Sequence, residues 1–342
     1  MRPDRERHRG PDILKCICAF LIVCIHAPFP GEAGRYFLSL TRVAVPIFFM
    51  ITGFYYDDVK RRGRVKAQIV KVLRLFISAN LLYFGWGLLT AAADEGAGAF
   101  LAKNFGLRKL LRFALFNDAL FSSHLWYLGA LLYVLVIRAL LDRHFPQSSG
   151  KILYALTPLL LIGDLVLGKY SLVILGREFP YILVRNFLFV GVPYFSIGCF
   201  LYEKRDSYQV RREWNLLLIG LFAATTLLER YLLESAGLST LRDHYISTTF
   251  LAVMIFILFM DSEWEQPWTG LPARIGREYS TFIYIVHPIL IKIIGKVVEL
   301  SGSAAVTEAY GAVRPVVIYA ASVLLAAVSH GIRKRIYKRR FG

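Results

Sequence analysis

The chain is short of acidic residues, of cysteine and of long polar stretches. Asp and Glu number 24 against 41 Lys and Arg, leaving a formal net charge of +17. That balance excludes an acidic, solvating chain. The four cysteines lie inside apolar runs, Cys16, Cys18 and Cys24 in one and Cys199 in another. With no CxxC and no zinc-ligand spacing, neither a disulfide framework nor a zinc module is encoded, and they read as small buried apolar residues. No polar stretch exceeds loop length, so no soluble domain is left over. A Walker loop, a dinucleotide fingerprint and a Ser-His-Asp order are also missing. Gly129 and Gly198 stand alone as packing glycines.

What fills the sequence is apolar. Hydrophobic residues make up 56% and aromatics 14%, with a mean hydropathy of +0.50. Apolar runs of membrane-span character recur at 13–29, 36–56, 69–92, 124–141, 152–168, 187–203, 214–234, 246–261, 279–298 and 313–331. In hydrocarbon the backbone must satisfy its own hydrogen bonds, so such runs are helices. They are too long, and lack the alternation, for barrel strands. The expected fold class is therefore all-α, a polytopic integral membrane bundle of about ten transmembrane helices, with residues 1–342 forming a single transmembrane domain.

The positive charge does not point to nucleic acid, because the basic residues lie in loops between spans and not on one soluble face. Lys and Arg fall more than twice as often on the N-terminal side of the membrane as on the other, which places both termini in the cytoplasm. The charged leader "MRPDRERHRG" runs into a full span with no small-residue cleavage site, so a removed signal peptide is not expected. One loop breaks the charge rule. Residues 93–123 contain "FGLRKLLRFALFND", with Lys103, Arg108, Lys109 and Arg112. Its apolar spacing predicts an amphipathic helix, either lying on the membrane surface or packed on the bundle. No internal repeat is present, which weighs against a transporter built on inverted repeats.

The first span, "LKCICAFLIVCIHAPFPG", carries Lys15 near its start and His26 near its end. Eleven residues are about three helical turns, so the two side chains share a face roughly 16 Å apart. A direct ion pair is excluded. A cation at one end and a titratable ring far inside suit an anionic ligand that reaches inward, through one continuous tunnel. The plainer readings are a lysine snorkelling to the interface and a hydrogen-bonded structural histidine.

"PDILKCICAFLIVCIHA" resembles the first helix of the membrane acyltransferase 3 family, which has an aspartate, a basic residue and a histidine, here Asp12, Lys15 and His26. "RVAVPIFFMITGFYY" is similar to the family's second-helix signature, with Arg42, Pro46 and Gly53 matching and Thr52 in place of the common serine. "KAQIVKVLRLFI" resembles the basic start of the third helix, with Lys71 and Arg74 in register. "SHLWYLGALLY", "VRNFLFVGVPYFSIGCFL" and "YSTFIYIVHPIL" complete the series in order along the whole chain. The same family is related to the membrane half of vancomycin-resistance serine/alanine racemases. No room for a racemase domain follows residue 331, so a stand-alone member or a truncated membrane domain is expected.

The resemblance implies transfer of an acyl group, usually acetyl, from cytoplasmic acyl-CoA to a hydroxyl of an envelope glycan, lipid or small molecule, in the bacterial inner membrane. Membrane lipids are the other expected partners, and nucleic acid and metal are not. His26 then carries the catalysis, since a hydroxyl needs a base to attack a thioester. General base is preferred over a covalent acyl-histidine, though both remain open. CoA phosphates need cations, and Lys60, Arg61, Arg62, Arg64, Lys66, Lys71 and Arg74 form the densest basic segment. Lys71 and Arg74, three residues apart on one face, are the chosen donor-binding pair, with Lys15 meeting the donor from the first helix. These cations also serve topology and lipid contact.

Arg42 suits polarising the thioester or binding an anionic acceptor, or else an ion pair with Glu32. His287, with Tyr284 one turn before it, is expected beside the acceptor site or as a packing histidine. His124 and Trp126 open the fourth span at the outer interface, and Arg185 with Asn186 opens the sixth on the same side. A zinc site from His26, His124 and His287 has no short-range ligand pair to support it. The rival functions are a transporter for a small substrate such as an amino acid, and a sensor that keeps the fold without catalysis.

Overall fold

A computed structural model of the chain describes residues 9–91, 96–207, 210–240, 243–261 and 264–341. Residues 1–8 of the charged leader and 93–95 of the long loop lie outside the described residues. Within the described residues the protein is helical, with no strand. The helices are α1 (Gly10–His26), α2 (Gly31–Thr41), α3 (Ala44–Phe54), α4 (Tyr56–Arg61), α5 (Val65–Ala91), α6 (Ala97–Phe105), α7 (Leu107–Phe116) and α8 (Trp126–His144). They continue as α9 (Ser149–Leu167), α10 (Ser171–Leu175), α11 (Val192–Lys204), α12 (Arg212–Ser235) and α13 (Ile246–Asp261). The chain ends with α14 (Gly270–Glu278), α15 (Ser280–Leu300) and α16 (Ala304–Phe341).

Each expected span overlaps helix within the described residues. Among the described residues, seven helical segments are long and apolar enough to cross a membrane: Gly31–Arg61, Val65–Ala91, Ser123–His144, Ser149–Leu167, Arg212–Ser235, Ser280–Leu300 and Ala304–Ile336. The helices at the other three expected positions are shorter, with 17 residues in α1, 13 in α11 and 16 in α13.

The second span is not the unbroken helix that hydropathy predicts. It is interrupted at Arg42 and Val43, between α2 and α3. Pro46 explains the position: it has no N–H to offer the Arg42 carbonyl four residues back, and its ring crowds that carbonyl. The ladder resumes one residue later, where Ile47 N–H reaches Val43 O at 3.0 Å. The long loop also resolves into helix. Phe113 of α7 stacks on Phe76 of α5 at 6.0 Å, but Leu107, Leu111 and Leu115 stay exposed and α7 buries no residue. Among the described residues nothing covers these leucines, while Phe113 packs on α5. Lys109 and Arg112 turn back to Asp118 at 3.2 Å each.

The chain divides into two compact units. The first comprises Met1–Phe48, Val210–Leu232 and Tyr245–Gly342, and the second Phe49–Gln209 and Leu233–His244. In the first unit Ala19, Val23 and Ala27 recur every fourth residue along α1. They form a buried core with Tyr279 and Ile283 at the start of α15 and Ile318 and Ala326 of α16. Gly276 of α14 lies against the Asp12 carbonyl and Gly10 of α1 against the Phe259 carbonyl, where a Cβ would collide. In the second unit α3 and α11 meet the same way. Gly53 abuts the Phe195 carbonyl, Gly198 abuts the Met50 carbonyl, and Cys199 Sγ donates to Gly53 O at 3.2 Å. Small residues permit this backbone approach, the usual device for joining helices where lipid supplies no hydrophobic drive. All four cysteines are free thiols.

Gly198→Val should therefore destabilise the protein by about 1–3 kcal/mol. Gly220 of α12 faces open space, and Gly220→Ala should leave stability unchanged or raise it. Thermal unfolding of the two variants in one detergent checks the contrast; equal melting temperatures would contradict the tight crossing.

Candidate active site

Local sequence sets where His26 and His287 of the first unit stand. α1 carries Asp12 in its first turn, where a carboxylate is favoured by the exposed N–H groups. Lys15 Nζ reaches back one turn to Asp12 Oδ1 at 3.1 Å. The lysine is thus held by a nearly buried carboxylate, with a side-chain exposure of 25% against 4% for its partner. At the other end α1 stops at His26. Pro28 drives Ala27 out of helical geometry (φ −135°, ψ 70°), as a proline does to the residue before it. His26 is left half-buried on the last helical turn, beside carbonyls that favour positive charge.

On α15, Pro288 follows His287 and removes the helix's own donor to the Tyr284 carbonyl. His287 is completely buried, and its Nδ1 lies 3.0 Å from Ile283 O. A carbonyl only accepts, so Nδ1 carries the proton. His287 continues the Tyr279–Ile283 stripe that packs on α1, and this brings its ring to 5.0 Å from that of His26, tilted by 47°. The Tyr284 ring lies 6.4 Å from that of His287. Two histidines remote in sequence therefore form a pair at the edge of an apolar core. Arg42, in the same unit, stands half-buried at the break after α2, and Glu32 pairs with Arg35.

The second unit holds the remaining expected residues. Lys71 and Arg74 are exposed on α5. With Gly63, Lys66, Ala67 and Val70 they line an open concavity of 620 Å3. The spacing of these residues is that of one helical face. Thr52 is half-buried in α3. His124 is buried, its Nδ1 2.8 Å from Ser122 Oγ and its ring 4.9 Å from Tyr83. Trp126 lies beneath the Arg185 guanidinium at 5.4 Å. Asn186 has its amide taken up by backbone: Oδ1 accepts from Leu188 and Phe189 N–H, and Nδ2 donates to Ile182 and Leu183 O.

Two charged clusters escaped the sequence reading, and both lie in the second unit. Asp142, near the C-terminal end of α8 where an acid is disfavoured, accepts from Tyr56 Oη at 2.9 Å and Ser149 Oγ at 2.6 Å. It also meets Lys60 Nζ at 2.9 Å and Arg138 Nε at 3.3 Å. Arg138 is 5% exposed, 3.9 Å from Asp57 and 5.2 Å over the Tyr56 ring. This network pins α4, and with it the turn at Gly63 (φ +65°) that leads into the cationic face of α5. The second cluster is a buried pair, His244 Nδ1 to Asp164 Oδ2 at 2.7 Å, with Tyr194 5.7 Å from the histidine ring. Asp164 inside an apolar run and the i,i+4 spacing of Arg138 and Asp142 were the available signals; Tyr56, Lys60 and His244 are distant in sequence. Among the described residues, no group of three or more His, Cys, Asp or Glu side chains is placed to hold a metal.

Comparison with known proteins adds a family to this geometry. A family profile described as an acyltransferase domain matches residues 8–331, a stretch that takes in both units. The chain belongs to the acyltransferase 3 family. Members of this family are multi-pass membrane proteins, and the seven long apolar helices agree. Among characterised proteins, an amino-acid racemase of Enterococcus faecalis is 24% identical over 85% of this chain and 42% of its own length. A serine/alanine racemase of Enterococcus gallinarum is 27% identical over 82% of this chain and 40% of its own. The chain thus spans about two fifths of the length of these relatives. No solved structure matches it significantly.

Asp142→Ala would leave Arg138 without its principal counter-ion inside this acyltransferase-family chain. Breaking a buried pair from one side should cost about 3 kcal/mol, against little for the exposed pair partner in Glu299→Ala. Detergent-phase unfolding of both variants is the check, and an unaffected Asp142→Ala would show that the cluster bears no load.

Proposed function

We propose that this protein is an acyl-CoA-dependent membrane O-acyltransferase, with His26 as general base. In this reading the bundle of about ten helices sits in a bacterial inner membrane with both termini cytoplasmic. The donor is acyl-CoA, with acetyl as the favoured group. The observation that carries the proposal is the His26–His287 pair, a half-buried imidazole at a helix end backed by a fully buried one, in a chain of an acyltransferase family.

The chemistry follows from the side chains. The acceptor hydroxyl loses its proton to His26 as its oxygen attacks the thioester carbonyl. The tetrahedral intermediate collapses, the carbon–sulfur bond breaks, and the proton held on His26 passes to the departing CoA sulfur. His287, fixed by Ile283 O, positions the His26 ring and touches no reacting atom. Lys71 and Arg74 supply cations for the CoA phosphates, and their open concavity supports that role. Lys15, tied to Asp12, meets the donor from α1, and the acyl group reaches His26 through a tunnel along that helix. Arg42 and Thr52 support the reacting centre. His124, Trp126, Arg185, Asn186 and Tyr284 contribute to the acceptor side, Asn186 by holding backbone and not by contact.

A second reading is favoured by the racemase names of the relatives: a membrane domain that moves a small substrate such as an amino acid.

Two measurements test the first reading. Purified protein should release CoA from acetyl-CoA slowly, and His26→Ala should lower the rate by about 10²–10⁴-fold while acetyl-CoA binding persists. The double variant Lys71→Gln, Arg74→Gln should raise the KM for acetyl-CoA by about tenfold or more, with kcat little changed. If wild type neither binds nor cleaves acetyl-CoA, the acyltransferase reading fails. Amino-acid uptake into proteoliposomes then decides for the second.

A further inference from the structure

We infer that Arg185 is an oxyanion receptor, and that the acceptor bears a carboxylate or phosphate group which this arginine holds. The identity of the ligand as acceptor rests on the acyltransferase reading; the anion site itself does not. The guanidinium lies over two aromatic rings, 4.6 Å from the centroid of Tyr181 and 5.4 Å from that of Trp126. Contacts of this kind hold the cation through its charge and consume none of its N–H donors as hydrogen bonds to an acceptor. Among the described residues, no carboxylate, carbonyl or hydroxyl takes those edges. Arg185 is half-buried, and the two fully buried arginines among the described residues behave differently. Arg138 bonds Asp142, and Arg230 donates to Arg35 O and to Ser39 Oγ.

The frame around Arg185 is rigid and built from polar groups that are themselves satisfied. Tyr181 donates its hydroxyl to Asp243. Asn117, in left-handed geometry at φ 49°, donates from Nδ2 to Trp126 O at 3.1 Å and accepts Phe187 N–H at 2.7 Å. Asn186 secures both sides of the turn that follows. That turn, Phe187–Gly191, is a π-helix, a distortion that accumulates at functional sites. Two buried asparagines and a tyrosine–aspartate bond thus immobilise the segment and both rings. The guanidinium keeps its hydrogen-bonding capacity, and its planar fork matches a carboxylate or a phosphate.

Trp126 is the reporter for the test. The purified full-length protein in neutral detergent, without acyl donor, is titrated with inorganic phosphate and separately with acetate. Chloride at matched ionic strength is the control. A saturable tryptophan fluorescence change with phosphate indicates a phosphate-bearing ligand, and one with acetate a carboxylate-bearing ligand. Either should be weakened by about tenfold or more in Arg185→Gln, less in Arg185→Lys, and be silent in Trp126→Phe. No saturable change in wild type, or a change that survives in Arg185→Gln or in Trp126→Phe, overturns the proposal, and the wild-type result stands even if a variant fails to fold. Anion binding without CoA turnover would keep the receptor and remove the acyltransferase reading. Turnover without anion binding would do the reverse.

Discussion

Inside an apolar bundle no water is at hand to complete a hydrogen bond, and the rest of the structure answers to that constraint. Each polar group must find a protein partner or carry a large penalty. Asp142 gathers four donors. Asn186 spends every hydrogen-bonding group of its amide on backbone. Asn117 ties two separate segments together from a left-handed backbone. His287 puts its Nδ1 proton on a carbonyl of its own helix. Asn186 and His287 satisfy their own local backbone, whereas Asp142 and Asn117 tie separate elements together, and a mismatch there would strand a charge or an amide.

The same constraint separates what hydropathy reveals from what it hides. The helices, the start of α1 and the end that presents His26 are readable because they depend on local chemistry: apolar runs, an acid in a first turn, a proline two residues after the histidine. The break at Arg42 also had its signal in Pro46, but an averaged window of apolar residues passes over a single missing donor. The pairing of His26 with His287 was not readable, since it follows from the packing of α1 on α15 and nothing local records it. Asp164 with His244 is the same case. Lys15 was expected to face a ligand or the interface, and the i,i+3 spacing to Asp12 was there to suggest its partner.

The polar side chains divide between the two units. The first unit holds the paired imidazoles and the Asp12–Lys15 couple. The second holds the cationic face of α5, the Asp142 network that fixes the turn before it, and Arg185 beside the π turn. The two collections differ in kind: imidazole rings at the edge of an apolar core in one, clustered cations and a buried ion-pair network in the other.

The break after α2 has an electrostatic corollary. A helix that stops inside an apolar segment leaves its last carbonyls without helical donors, and their dipoles concentrate partial negative charge at that end. Arg42 stands at that terminus. The backbone itself therefore contributes a diffuse negative potential, and a positive charge at that point is better tolerated than the surrounding apolar run would allow. The interruption thus gives the middle of an apolar segment an electrostatic polarity that an unbroken helix would have only at its ends.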